Sequence, residues 1–466
     1  MVDREYDVIV VGGRVAGASL AARLGAAGLG VLVLDRSSFP SRPSVSAPFV
    51  LPHTLAMLDE LGLQEQDYAA DTPRLETIAL EFGSHFRAFF GFPEPIAGRT
   101  YFYTIDRARL DHALWRNLER HAGVTALERT SAIDLLEQQG RVVGVVARVP
   151  GRERSVKLRA RCVVGAGGRF DLVARKARAS VIHERRDLDT AVYYAHWEGV
   201  EPYDEGRRPI AQIHTSGDGL SFVLMPTADQ QTIVVVQAQA RLHAAQPGRP
   251  AQIYDALLRA CPAVWRRLSP ARRVSRISGL KRMGNLFRQA HGPGWVLVGD
   301  ALHHKDSIDA QGIYDALLSS RLLGESLVDW HAGRDWDDAL GRYAEASHAA
   351  LRPMFEATMD RVEREIYGTP PALAAKTLLR WILTDRRYND RFAAVLTRRH
   401  DPRGLLAPSV VLPAVVSGAW RRILARLRAR PDPTDPVAPA DPLPPPPPPP
   451  PPRVRDDERG GGRRPR

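Results

Sequence analysis

DVIVVGGRVAGASLAA, residues 7–22, decides how the rest of the chain is read. Val8 to Val11 are four consecutive apolar residues, too short a run for a helix and typical of a strand buried on both faces. Gly12 and Gly13 then permit a tight turn, and Ala16 to Gly28 is an alanine-rich helical run that leads into a second apolar strand, VLVLD. The spacing is that of G-x-G-x-x-G, a turn that cradles a dinucleotide, except that the middle glycine is Arg14. Gly12 has the duty of the sharp turn, while Gly17 lets the helix pack closely and present its free amides to a pyrophosphate. Gly13 supplies the freedom that position 14 lacks, and a guanidinium at Arg14 is placed to pair with phosphate oxygens. Asp35 closes the second strand about twenty residues on, where a carboxylate accepts ribose hydroxyls. The alternative is a glycine turn with a purely structural role; Asp35 weighs against it.

Composition narrows the class. The chain has 466 residues, 44% hydrophobic and 25% charged, which suits a soluble globular protein of one large or two interleaved domains. Two cysteines, Cys162 and Cys261, make no disulfide framework, and neither stands near histidines at metal-ligand spacing. A cytoplasmic, metal-free protein is expected, since no basic and apolar export segment precedes the first strand. The net charge of +12 comes from arginines scattered among acids, without a recognised nucleic-acid module, so no nucleic-acid partner is expected. The densest basic stretch is WRRILARLRAR, from Trp420 to Arg430. It reads as a solvated last helix, with weak peripheral contact with an anionic membrane as the alternative. From Pro431 the sequence turns into a polyproline run and a charged, glycine-rich end, a composition that favours disorder.

Apolar, valine-rich strands return at 142–149, 162–167 and 295–301, far apart in the chain. Between residues 191 and 240, four alternating stretches with turns at GDG and ADQQ suggest antiparallel strands with one covered face. After Asp315 the pattern is helical. The second informative stretch is GWVLVGDALHHKDSIDAQGIYDALLSS, from Gly294: a strand ends at Gly299-Asp300, a loop follows, and Gly312 opens a long helix. This again sets a carboxylate and a helix N-terminus at a strand's C-terminal edge, where parallel sheets bind ligands. Two such edges nearly 300 residues apart suit a cofactor long enough to touch both, and FAD meets that requirement.

With these motifs the chain resembles the FAD-dependent oxidoreductases of the p-hydroxybenzoate hydroxylase fold, the group A flavoprotein monooxygenases, over most of residues 5–400. Within them it is similar to a bacterial branch that reads GARCAG and GDAGHHKDPITAQGISDA where this chain has GGRVAG and GDALHHKDSIDAQGIYDA. The resemblance implies an α/β fold: a Rossmann-like FAD-binding domain with a parallel sheet (1–75, 98–178 and 280–345), interleaved with an antiparallel-sheet substrate domain (76–97 and 179–279). C-terminal helices (346–430) and a disordered Pro-rich tail (431–466) follow. It also implies that Gly12, Gly13, Arg14, Ala16 and Gly17 line the pyrophosphate and that Asp35 holds the adenosine ribose. Arg107, in the R-x-x-L-D start IDRARLDHAL, contacts the cofactor; Asp300 takes its ribityl or pyrophosphate part, and Gly312 and Ile313 face the flavin pyrimidine. Arg42 and Ser46 are the polar contacts of the loop beside the flavin, with a solvated loop arginine as the alternative for Arg42.

NAD(P)H is the implied reductant and O2 the co-substrate, with an apolar or aromatic small molecule receiving oxygen. Tyr193, Tyr194, Trp197 and Phe222 are candidates to line its pocket, against the plainer reading as core. His303 and His304 are candidates to move protons near the flavin, since histidine titrates near neutrality, and Lys305 reads as solvated. Two departures stand out: the family's GADG is GAGG here, with Gly167 in place of the aspartate, and Ser307 replaces a proline. The absence of a W-x-W-x-I-P stretch argues against halogenation. A reductase of prenyl double bonds, like the geranylgeranyl reductases, and a flavin-binding regulatory protein without turnover are the rivals.

Overall fold

A computed structural model describes residues 5–43, 46, 48–204, 206, 208–241, 249–368 and 373–427. The strand Glu5–Val11 is the centre of its parallel sheet, with Val8, Ile9 and Val10 fully buried. It pairs with Val31–Leu34 on one side and Val156–Gly165 on the other, and Val124–Leu127 and Trp295–Leu297 extend the sheet outward, all parallel. The three strands that precede glycine motifs therefore end at one edge: Val11, Gly165 and Leu297 lead into Gly12, Gly167 and Gly299.

Helices Val15–Ala26 and Gly312–His331 lie against one another over this sheet. Small residues let them approach: Ser19 and Ser320 share a hydrogen bond of 2.7 Å, and a Cβ on Gly299 would stand 2.7 Å from that of Ala16.

The second sheet is built from Thr190–Glu198, Gln231–Gln239, Leu220–Pro226 and Ala211–Thr215, each antiparallel to the next in that order. The hairpin Ile78–Phe82 and Phe86–Phe90 extends it, its first strand parallel to Ala211–Thr215. Both faces of this sheet are covered, where the alternation had suggested one. Ala191, Tyr193, Ala195 and Trp197 pack beneath Pro250–Arg259 and Pro262–Leu268, while Val192 and Tyr194 join a core with Phe49, Phe90, Met354 and Ala393. Period-two alternation separates two faces; it does not say how many are wet, and here each receives its own layer.

The long helix Trp336–Val362 braces the first sheet, with Tyr343 donating to the Leu297 carbonyl at 2.8 Å. Leu373–Leu383, Arg386–Leu396 and Pro408–Leu427 follow. Arg386–Leu396 is capped by Asp385, which accepts from the Tyr388 amide at 3.1 Å, and buries Ala393 to Leu396 in the core facing the second sheet. The tail expected to be disordered, 431–466, lies outside the described residues. Among the described residues no helix is long and apolar enough to cross a membrane.

Candidate cofactor and substrate site

The glycine turn is held by contacts that admit no side chain. Gly12 has φ +109°, and a Cβ there would lie 2.5 Å from the Ala166 carbonyl oxygen; one on Gly17 would lie 1.8 Å from that of Gly12. Asp35, buried at the end of its strand, accepts from the Gly13 amide at 2.8 Å and the Ser37 amide at 2.7 Å. Its visible task is thus to fix the turn. The helix that follows has no side-chain cap at Arg14 and no acid in its first turn, so its leading amides are left for an anion.

Arg14 does not extend freely toward such an anion. Its guanidinium pairs with Asp111 at 2.5 Å, donates to the carbonyl and hydroxyl of Ser41 at 3.0 Å each, and lies over the Phe39 ring. Asp111, with no exposed surface, is shared with Arg107 at 2.8 Å, which also donates to the Ser46 hydroxyl at 2.9 Å. Arg42, although exposed, is held bidentately by Asp106, at 2.6 and 3.1 Å. Asp106 in turn caps helix Arg107–Asn117 through the Ala108 amide. Three of the expected contacts, Arg14, Arg42 and Arg107, are thus organised by two aspartates, Asp106 and Asp111, the latter closing the R-x-x-L-D stretch.

The other half of the site joins two motifs. Arg169 approaches Asp300 at 3.4 Å and donates to the Lys305 carbonyl at 2.8 Å, so the GAGG turn is tied to the segment after Trp295–Leu297. Gly167 also has a physical reason here. Asp171 folds back, accepting from the amides of Gly167 and Ala174 at 2.7 Å each, and a Cβ at position 167 would stand 2.8 Å from its carboxylate. Beyond Asp300, Gly312 opens its helix with open space where a Cβ would be, beside buried Ile313; the side chain of Gln311 caps none of the helix's amides and donates instead to the Leu396 carbonyl at 3.0 Å. An uncapped helix start facing open space fits a flavin edge.

His303 and His304 form a short strand paired with Leu286–Arg288. His303 packs on the rings of Phe287 and Phe355, and His304 donates from Nδ1 to the Asp300 carbonyl at 2.9 Å. Burial, with Lys305 beside His303 and Arg169 beside His304, pushes both pKa values far below neutrality, that of His304 to about 3. This removes the near-neutral titration on which a proton-carrying role was expected. Lys305 is not solvated: it is buried against Asp315, which Arg398 also holds at 2.6 Å.

Phe49, Leu51, Ile78, Phe90, Phe392 and Leu396 line an apolar pocket closed by the loop Ile308–Ala310, just before Gly312. Its two lining charges, Asp309 and Arg361, are paired at 2.7 Å, and Arg361 also meets Glu365 at 2.9 Å. Of the four aromatic candidates, Tyr193, Trp197 and Phe222 are core under the outer helices. Tyr194 faces inward, donating to the Pro43 carbonyl at 2.9 Å. His53, unmarked in the sequence, is buried against Tyr314 with both ring nitrogens unpaired, polar atoms that the described protein leaves for another group.

The sequence profile of the FAD binding domain family matches residues 5–358. This chain belongs to that family. It is an FAD-dependent oxidoreductase of the group A flavoprotein monooxygenase-like fold. It is 21% identical, over 74% of this chain and 82% of the relative, to a 1H-pyrrole-2-carbonyl-[peptidyl-carrier protein] brominase of Pseudoalteromonas luteoviolacea. It is 27% identical, over 81% and 94% of the two chains, to digeranylgeranylglycerophospholipid reductase 1 of Methanopyrus kandleri. In structure it superposes on a flavin-dependent brominase with a TM-score of 0.75 at 19% identity, covering 90% of this chain and all of the other. Halogenases thus stand among its relatives, although it lacks W-x-W-x-I-P.

Proposed function

We propose that this flavoprotein is an NAD(P)H-driven monooxygenase that hydroxylates or epoxidises an apolar or aromatic small molecule. The observation that carries the reading is the pocket bounded by both segments that the family places around its flavin: Phe49 and Leu51 on one side, Ile308 to Ala310 on the other. Bound FAD supplies the redox chemistry; the chain's residues supply placement and a dry cavity. Gly12, Gly17 and the amides after Arg14 would hold the pyrophosphate, Asp300 the ribityl or pyrophosphate portion, and the helix opening at Gly312 would favour negative charge on the flavin pyrimidine. With Asp309 and Arg361 neutralising each other, substrate affinity comes from apolar burial.

A second reading is supported by the prenyl-lipid reductase, whose own length is matched almost completely: reduction of a double bond in an apolar substrate. The test is anaerobic addition of NADH or NADPH to the purified protein, followed by oxygen and candidate apolar substrates. The monooxygenase reading expects bleaching of the flavin bands, then oxygen uptake matched to an oxygenated product. A product gaining two hydrogens without oxygen uptake would establish the reductase instead, and a product formed only with bromide or chloride a halogenase.

A further inference from the structure

The last described helix, Pro408–Leu427, wears its apolar side outward. Leu412 is 61% exposed, Val416 56%, Trp420 59%, Ile423 47% and Leu427 77%. At 100° per residue these five fall within one arc of about 80°, the stripe that a helix of a globular protein normally buries. The inward side carries half-buried Val410, Val411 and Val415 together with small or hydrogen-bonded groups. Ala414 is buried, Gly418 sits against Trp381, and Arg421 donates to the Thr384 carbonyl and hydroxyl at 2.9 Å each. The helix is therefore fixed to Leu373–Leu383 by this side, leaving the stripe of larger apolar residues without a protein partner among the described residues.

We propose that this face docks the protein on an anionic lipid surface. Charge favours that occupant: Trp420 to Arg430 contains five arginines and no acid, and Arg422 is exposed on the flank of the stripe. Exposed tryptophan beside arginines suits the boundary between acyl chains and headgroups. The area disfavours a second copy of this chain, because one helix about 30 Å long presents a stripe of roughly 300 Å², well under the ~800 Å² per partner of a stable interface. The helix Arg386–Leu396, which contributes Phe392 and Leu396 to the apolar pocket, packs against this one, so docking brings a wall of the pocket toward the lipid. The docking proposal holds whichever reaction the flavin performs.

The test is flotation of the full chain, carrying FAD, with vesicles of phosphatidylcholine alone and of phosphatidylcholine with phosphatidylglycerol. The protein is expected to float with the anionic vesicles and to lose that binding in high salt. Trp420→Ser and Leu427→Ser together should weaken it at least tenfold, and Arg422→Glu should weaken it too, with flavin content unchanged in both variants. Failure of the wild type to bind anionic vesicles, or equal binding by the Trp420→Ser, Leu427→Ser variant, overturns the proposal. So does a wild-type dimer in light scattering that Leu412→Ser and Val416→Ser convert to a monomer, since the occupant is then a second copy.

Discussion

Asp111 shows how much of this site rests on single buried charges. It has no exposed surface and is paired with both Arg14 and Arg107. Replacing it by asparagine leaves two partly buried guanidiniums without their counter-charge, which should cost about 3 kcal/mol of stability and loosen both arginines. Urea unfolding of D111N measures it, and a midpoint equal to that of the wild type would refute the shared clamp. Gly167 gives a prediction of opposite intent. Restoring the family's aspartate there would place its Cβ 2.8 Å from the Asp171 carboxylate, with a second negative charge beside it. Gly167→Asp should lower the melting temperature and not speed reduction by NAD(P)H. Faster reduction at unchanged melting temperature would show that the departure is a deficiency instead of an accommodation.

The elements differ in how openly the sequence announces them. The first strand, turn and helix were legible because a buried parallel strand and a glycine turn are local patterns, as was the helix opening at Gly312. The roles of Asp106 and Asp111 were not, because their partners are remote in the chain: Arg42 and Asp106 are 64 residues apart, Arg14 and Asp111 97. Likewise Phe90 and Phe392 meet only through tertiary packing, at 5.4 Å between ring centres. In the second sheet, Glu81 on Ile78–Phe82 and His214 on Ala211–Thr215 are 2.9 Å apart, with Tyr203 and Gln212 also donating to Glu81. Burial alone lowers the pKa of His214, but hydrogen bonds with Cys261 and Glu81 lift it overall to about 9. A folded-state value raised from 6.5 contributes stability that is complete below pH 6.5 and lost as pH rises through about 9. Thermal melts across that window should fall in the wild type and be flatter in His214→Gln. Parallel decline of the two would exclude His214 as the source.

At the scale of the molecule, the parallel sheet turns sequence distance into spatial proximity. Gly12 and Asp300 are remote in the chain, yet Glu5–Val11 and Trp295–Leu297 flank Val156–Gly165 in the same sheet, and Gly299 presses on Ala16. One elongated cofactor across that edge would touch both halves, and the apolar pocket is lined by Ile308 to Ala310, just before Gly312. Gly312 offers the most direct test, because a Cβ added there meets no protein atom within 4 Å. Titration of FAD into the cofactor-free chain and into its Gly312→Leu variant, followed by flavin fluorescence, is the decisive measurement. The wild type should bind FAD, and the variant, melting no lower than the wild type, should bind it at least tenfold more weakly. Equal affinity in the two proteins, or no FAD binding by the wild type, would contradict a flavin spanning Gly12 to Gly312.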